Sequence, residues 1–148
     1  MKIAIATDHH GVKVKEELIK YLNQNGYEVF DYGTNDDTMV DYPEYAFKVG
    51  EAVSKKIIDY GILLCGTGIG MSIACNKVRG VRCAKVCSIE EAKLSREHNN
   101  ANVLALSSKM SIHEMEEIIN VFLCTGFLGE RHLRRINKIR DYEEYYDN

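Results

Sequence analysis

Short apolar runs alternate with stretches of helical periodicity along the chain. "KIAIAT" at 2–7 precedes a helix-like segment over 12–25, "YEVFDYG" at 27–33 precedes one over roughly 43–57, and "YGILLC" at 60–65 precedes one over 69–77. "RCAKV" at 82–86 then leads into 89–98 and "NVLAL" at 102–106 into 111–124, with a last helical segment from about 130. Runs that are apolar on both faces belong to strands covered on both sides, and their alternation with helices is the mark of a parallel sheet. The pattern predicts a three-layer, Rossmann-like α/β fold of the flavodoxin-like kind, with a five-stranded parallel sheet and an extra C-terminal helix.

Helix-end signals agree with these segments. Gly26 stands where a helix C′ residue belongs, and "SIEE" at 88–91 and "SIHE" at 111–114 have capping-box spacing. With a single proline, Pro43, and no linker or repeat, residues 1–148 are expected to form one domain.

Composition narrows the function class. A chain of 148 residues, 45% hydrophobic and 28% charged, is an ordinary globular protein able to bury about two-thirds of its unfolded surface. Its formal charge of −3 argues against a general nucleic-acid role, because the one dense basic run, "RHLRRINKIR" at 131–140, is local. Five cysteines at 65, 75, 83, 87 and 124 form no CxxC pair and read as reduced thiols. Only five residues separate Lys2 from Asp8, too few for a signal segment or a membrane span, so a cytoplasmic protein is expected.

Sites on parallel sheets form beyond the carboxyl ends of the strands, which directs attention to the loops after Asp8, Asp31, Cys65, Val86 and Leu106. "TDHHG" brings Asp8, His9 and His10 there, either as an N-cap beside surface histidines or as groups that move protons near neutrality. "CGTGIG" heads a helix with Cys65 followed by Gly66, Gly68 and Gly70. Its spacing matches neither the dinucleotide GxGxxG nor a P-loop, which leaves a small cradle of backbone amides headed by a thiol. The thiolate form is favoured there by the helix dipole and the amides. Three roles stand open for Cys65: a nucleophile, a base that abstracts a proton beside an amide-stabilised oxyanion, or packing. Cys75, Cys83, Cys87 and Cys124 are expected in the core. His98, Asn99 and Asn100 precede the fifth strand, as structural residues or as a donor with two hydroxyl-binding amides. Arg131 and Arg135, at i and i+4, share a helical face that is either solvated or a phosphate grip. No metal-ligand spacing appears, and no metal is expected.

Together, "TDHHG", "DYGT", "VDYP", "CGTGIGMSIACNKVRGVR", "LSREHNNANVLAL" and "GERHLRRI" closely resemble the ribose-5-phosphate isomerase type B family across almost the whole chain. The resemblance implies interconversion of ribose 5-phosphate and ribulose 5-phosphate without metal or organic cofactor. It makes Cys65 the general base, with the amides from Gly66 through Gly68 and Ile69 to Gly70 around a cis-enediolate and the Thr67 hydroxyl handling protons on its oxygens. A glutamate replaces this cysteine in another branch, at the position of Met71; here the thiol is present and the glutamate absent. His98 matches the ring-opening proton donor, with Asp8 near the sugar hydroxyls and Tyr42 and Asn99 as sugar contacts. His9, Arg131 and Arg135 match the phosphate-binding set, and Lys109 stands where relatives commonly carry an arginine, a point charge in place of a fork. The resemblance also implies a homodimer, or a tetramer built from dimers, with sites shared between subunits, the C-terminal tyrosines 142, 145 and 146 being a candidate interface. Isomerases of six-carbon sugar phosphates share the fold and much of the "CGTG" loop, and a non-catalytic sugar-phosphate sensor would keep the arginines without needing the thiol and His98.

Overall fold

The structure, a computed structural model, describes residues 1–146. The chain alternates as expected: β1 (Lys2–Thr7), α1 (Val12–Gln24), β2 (Glu28–Asp31), α2 (Tyr42–Ser54), β3 (Tyr60–Cys65), α3 (Ile69–Cys75), β4 (Cys83–Lys85), α4 (Ile89–Asn99), β5 (Val103–Ser107), α5 (Ile112–Cys124) and α6 (Arg131–Tyr146). Every strand pairing is parallel, with Ile5 opposite Ile62, Leu63 opposite Ala105 and Cys65 opposite Ser107.

The period-2 alternation inside each strand sorts the two cores. Ile3, Ile5, Ile62, Leu64, Leu104 and Leu106 join the cluster formed with α1, α4 and α5. Their neighbours Ala4, Ala6, Leu63, Cys65, Val103 and Ala105 point the other way, into the cluster formed with α2 and α3. Both faces are thereby buried, and the sheet is held by apolar area on each side.

The three-layer parallel architecture is as predicted, but the strand order differs from the flavodoxin arrangement 2-1-3-4-5. Here it is β2-β1-β3-β5-β4, with β5 inserted beside β3. The reason lies in composition. Four of the five residues of β5 are buried, whereas β4 has three residues of which only Cys83 is buried, and a short, partly polar strand is stable only at an edge.

Local capping follows the sequence signals. Gly26 has φ 84 just after the α1 C-cap. Ser111 and Glu114 form the reciprocal capping box of α5, while at α4 Ser88 accepts from the Glu91 amide and the Glu91 carboxylate reaches back to the Cys87 N–H instead. Helix α2 stops at Ser54, short of the expected 57, because Lys56 turns to φ 61 and the N–H groups of Ile57 and Ile58 both return to the Ala52 carbonyl. None of the described helices is long and apolar enough to cross a membrane.

Candidate active site

Two groups of candidate residues sit at opposite edges of the sheet. At the carboxyl edge, β1 delivers Asp8 and His9, β3 delivers Cys65 and the glycine loop, and β5 leads to Lys109. Asp8 is buried and does not cap α1, whose N-cap is Gly11 without a side-chain bond. Instead its Oδ1 accepts the His10 N–H at 2.9 Å and its Oδ2 lies 3.2 Å from His10 Nδ1. His9 Nδ1 accepts the Val40 N–H at 3.3 Å, which assigns its own N–H to Nε2. The Asp8 carboxylate and the two imidazoles have ligand atoms within 4.8 Å of one another, the one such group among the described residues that a divalent ion would fit.

Cys65, at the end of β3, is buried with its sulfur accepting the Gly68 N–H at 3.1 Å. A thiolate accepts such a bond more strongly than a thiol. The loop is anchored to the neighbouring strand: the Ser107 hydroxyl donates to the Gly66 carbonyl at 2.8 Å and the Ser108 N–H to the Cys65 carbonyl at 2.9 Å. Gly68 has φ 77 and lies so close to β5 that a Cβ would stand 2.9 Å from the Leu106 carbonyl carbon. Thr67 is exposed, and its hydroxyl accepts the Ile69 N–H at 3.2 Å. Two of the loop amides, those of Gly68 and Ile69, are therefore engaged within the loop. The Tyr42 ring, at the start of α2, covers Gly70, where a Cβ would meet its Cζ at 2.7 Å.

A residue that the motifs did not flag shapes this edge. Lys15 is fully buried, and its Nζ donates to Asp31 Oδ1 at 2.6 Å, the Thr34 carbonyl at 2.7 Å and Asn35 Oδ1 at 2.6 Å. Three donors meet three acceptors, which is what an ammonium out of water requires. The loop it fixes pairs with the end of β1, through Thr7 N–H to Gly33 O and Thr34 N–H to Thr7 O. The signal was present: Val12, Lys15, Leu18 and Leu22 fall on one helical stripe, with a lysine where an apolar residue belongs.

The second group lies at the amino edge. Helix α4 returns from β4 to the start of β5, so its last turn, with His98 and Asn99, stands at the opposite end of the strands from Cys65. Gly61, whose N–H bonds the Asn102 carbonyl, and Cys65 lie four residue steps apart on β3, a rise of about 13 Å along the strand alone. The start of α6 is tied to this edge by the Leu128 N–H on the Glu97 carbonyl at 3.1 Å. The His98 and His132 rings stack at 4.3 Å with an interplanar angle of 12°. Burial, then Arg131, His98 and Arg135, hold the His132 imidazole below its ordinary value. Arg131, Arg134 and Arg135 are exposed on the same helix. A single chain thus brings Asp8, His9, Tyr42, the Cys65–Gly70 segment and Lys109 to one edge and His98, Asn99, Arg131 and Arg135 to the other.

A cleft of about 470 Å³ at the amino edge, lined among others by Arg82, Arg96 and Asn100, is not an anion cradle. Arg96 donates to Thr125 O, Asn100 Oδ1, Ala101 O and the Tyr60 hydroxyl, and Arg82 to the carbonyls of Asn99 and Asn100, so both guanidiniums lock the α4–β5 connection. The cysteines correct one expectation. Cys75 and Cys83 are core residues, but Cys87 and Cys124 are exposed, Cys87 because it falls in the turn before α4 and Cys124 because it ends α5 on its outer side.

Comparison with known proteins matches the geometry to one family. The family profile described as ribose/galactose isomerase matches residues 3–139. Ribose-5-phosphate isomerase B of Escherichia coli is 43% identical over 145 residues, 97% of each chain. Among solved structures, ribose-5-phosphate isomerase B of Clostridium thermocellum superposes with a TM-score of 0.96 at 44% identity over 99% of both chains. The Mycoplasma genitalium ribose-5-phosphate isomerase B with bound ribulose-5-phosphate gives 0.93 at 45% identity, covering 97% of this chain and 96% of that one.

Proposed function

Because the chain belongs to the ribose/galactose isomerase family, we propose that it interconverts D-ribose 5-phosphate and D-ribulose 5-phosphate, with Cys65 as the base and each site assembled from two subunits. The observation that carries this reading is the division of the candidate residues between opposite sheet edges: the thiol and its amide loop stand at one, His98 and the arginines at the other. In a two-fold dimer the carboxyl edge of one copy faces the amino edge of the next, and two complete sites form. Apolar side chains left on the surface support a partner, with Ile69 and Ile73 of α3 each more than half exposed and Leu133, Ile139 and Tyr142 open on α6.

The chemistry follows from the groups assembled. The phosphate is held by Arg131 and Arg135, with His9 and Lys109 from the facing edge. His98 delivers a proton to ring oxygen O4 as the O1–H proton leaves toward Asp8, which gives the open aldehyde. Tyr42 and Asn99 bound the sugar chain. The Cys65 thiolate takes the C2 proton, and the electron pair moves through C1 onto O1 as the enediolate forms among the loop amides. The Thr67 hydroxyl relays the proton from O2 to O1, and the Cys65 proton returns to C1. Positioned acid–base groups each supply about 10² to 10⁴-fold. A preorganised set of amide donors contributes about 10² to 10³-fold.

The test is complementation. Cys65→Ala and Arg131→Ala are each expected to be inactive toward ribose 5-phosphate. Mixed and refolded together, they should regain about a quarter of the parent rate, since half of the dimers are hybrid and each hybrid carries one intact site. Full activity in Cys65→Ala would remove the thiol base, and a mixture as inactive as its parts would remove the shared site. A parent active only on six-carbon sugar phosphates would keep the chemistry and change the substrate.

A further inference from the structure

His132 has no part in the reaction as just described, yet it is among the few buried polar residues of the chain. It is 5% exposed, its Nε2 has no hydrogen-bond partner among the described residues, and its ring lies flat on that of His98 at 4.3 Å. An orphaned, buried ring nitrogen is unfavourable by itself, so the residue is poorly explained as packing. A leucine or phenylalanine would fill the same space without the orphan.

We propose that His132 is a positioning residue for His98, whose flat neutral ring holds the His98 imidazole parallel to it and stabilises that imidazole in its proton-carrying form. This rests on the assignment of His98 as the donor that opens the sugar ring. Two stacked imidazoliums repel, so the pair carries at most one proton. The groups facing His132 decide which ring has it: Arg131 and Arg135 on its own helix and His98 on α4 are cationic or become so, and only Glu130 opposes them. Burial acts in the same direction, leaving His132 neutral. His98 is half-buried in the last turn of α4, where the helix dipole favours a cation. The face of a neutral aromatic ring beneath that cation adds a second attraction. Rotation of the His98 ring is restricted by the same contact, which fixes the direction in which its proton is offered.

The experiment uses the full-length protein and two aldoses, ribose 5-phosphate and 4-deoxyribose 5-phosphate. The second lacks O4, cannot close a furanose, and needs no ring opening. His132→Leu fills the volume without a π face, His132→Phe restores the face, and His98→Ala is the reference. Loss of a cation–π contact of ordinary strength predicts a kcat about five- to tenfold lower for His132→Leu on ribose 5-phosphate, with KM changed less than about twofold. On the 4-deoxy sugar His132→Leu should match the parent, and His132→Phe should lie within about twofold of the parent on both sugars. Equal losses on both sugars, a phenylalanine variant as slow as the leucine variant, or no loss in the leucine variant while His98→Ala is slowed would each overturn the inference alone. A His98→Ala enzyme as fast as the parent on ribose 5-phosphate would instead overturn the assignment of His98, and the inference with it.

Discussion

Gly68 joins the backbone conformation of the loop to the thiol it serves, and replacing it with alanine tests both. At φ 77 an L side chain meets its own backbone, which costs about 1–2 kcal/mol. The new Cβ would also stand 2.9 Å from the carbonyl carbon of Leu106, 3.2 Å from its oxygen and 3.3 Å from its nitrogen. These atoms belong to a central strand and cannot rotate away, so overpacking adds roughly 1–3 kcal/mol. The sum, about 2–5 kcal/mol, corresponds to a fall in Tm of roughly 6–15 °C for a chain of this length. Any relaxation that relieves the contact draws Gly68 away from Cys65 and lengthens the 3.1 Å bond to its sulfur. With Cys65 as the proposed base, displacement of about 1 Å at such a reacting group is worth roughly 10² in kcat. Gly66→Ala is the control, because a Cβ there meets nothing within 4 Å and φ lies outside the left-handed range. Calorimetry and steady-state kinetics on the two variants suffice. A Gly68→Ala protein that melts and turns over like Gly66→Ala would refute the reasoning.

Further perturbations address the pins around the sheet. Lys15→Met keeps the length of the side chain but strands Asp31 and two amide-type oxygens; since the Asp31 side chain is 35% exposed, water relieves part of the loss, and a destabilisation of about 2–3 kcal/mol is expected in urea, below the 3–5 typical of a fully buried pair. A loss under about 1 kcal/mol would show that the ammonium does no more than an apolar side chain. The hydrogen bond with Cys75, followed by burial, pushes the Cys83 thiol well above its ordinary value of 9.0. Above pH 9 the folded chain therefore keeps a proton that the unfolded chain releases, so the unfolded state binds fewer protons and stability falls as pH rises, by up to about 1.4 kcal/mol per pH unit. Cys83→Ala should flatten the decline between about pH 9 and 10, before Tyr21 and Tyr27, both raised mainly by burial, add to it; an unchanged slope would assign the alkaline loss to other groups.

Much of the candidate site was legible because its signals are local. Asp8, Cys65 and the glycines lie within a few residues of a strand end, and strand ends are marked by the change from period 2 to helical period. Cap residues such as Ser111 act on amides three positions away, so their role is written in the adjacent sequence. Lys15 shows an intermediate case: its stripe exposes the anomaly, but its three acceptors come from residues 16 to 20 positions later and no spacing rule finds them. Cys87 and Cys124 depart from the core position expected of them because exposure at a turn or at the end of a helix depends on how fully other elements cover it, and both remain exposed.

The sequence by itself determined the succession of strands and helices, their caps, the two-sided burial of the sheet and the chemical kinds gathered at "TDHHG" and "CGTGIG". Each of these depends on interactions within a turn or two of chain. Only the tertiary structure decided that β5 enters the sheet between β3 and β4, that His98 stacks on His132, and that both stand with the arginines at the edge away from Cys65. Those are lateral choices among elements far apart in the chain, settled by which strand can be buried on both faces and which must take the edge. Parallel connection then carries the last turn of α4 back to the amino ends of the strands, and no property of "SREHNN" taken alone records that displacement.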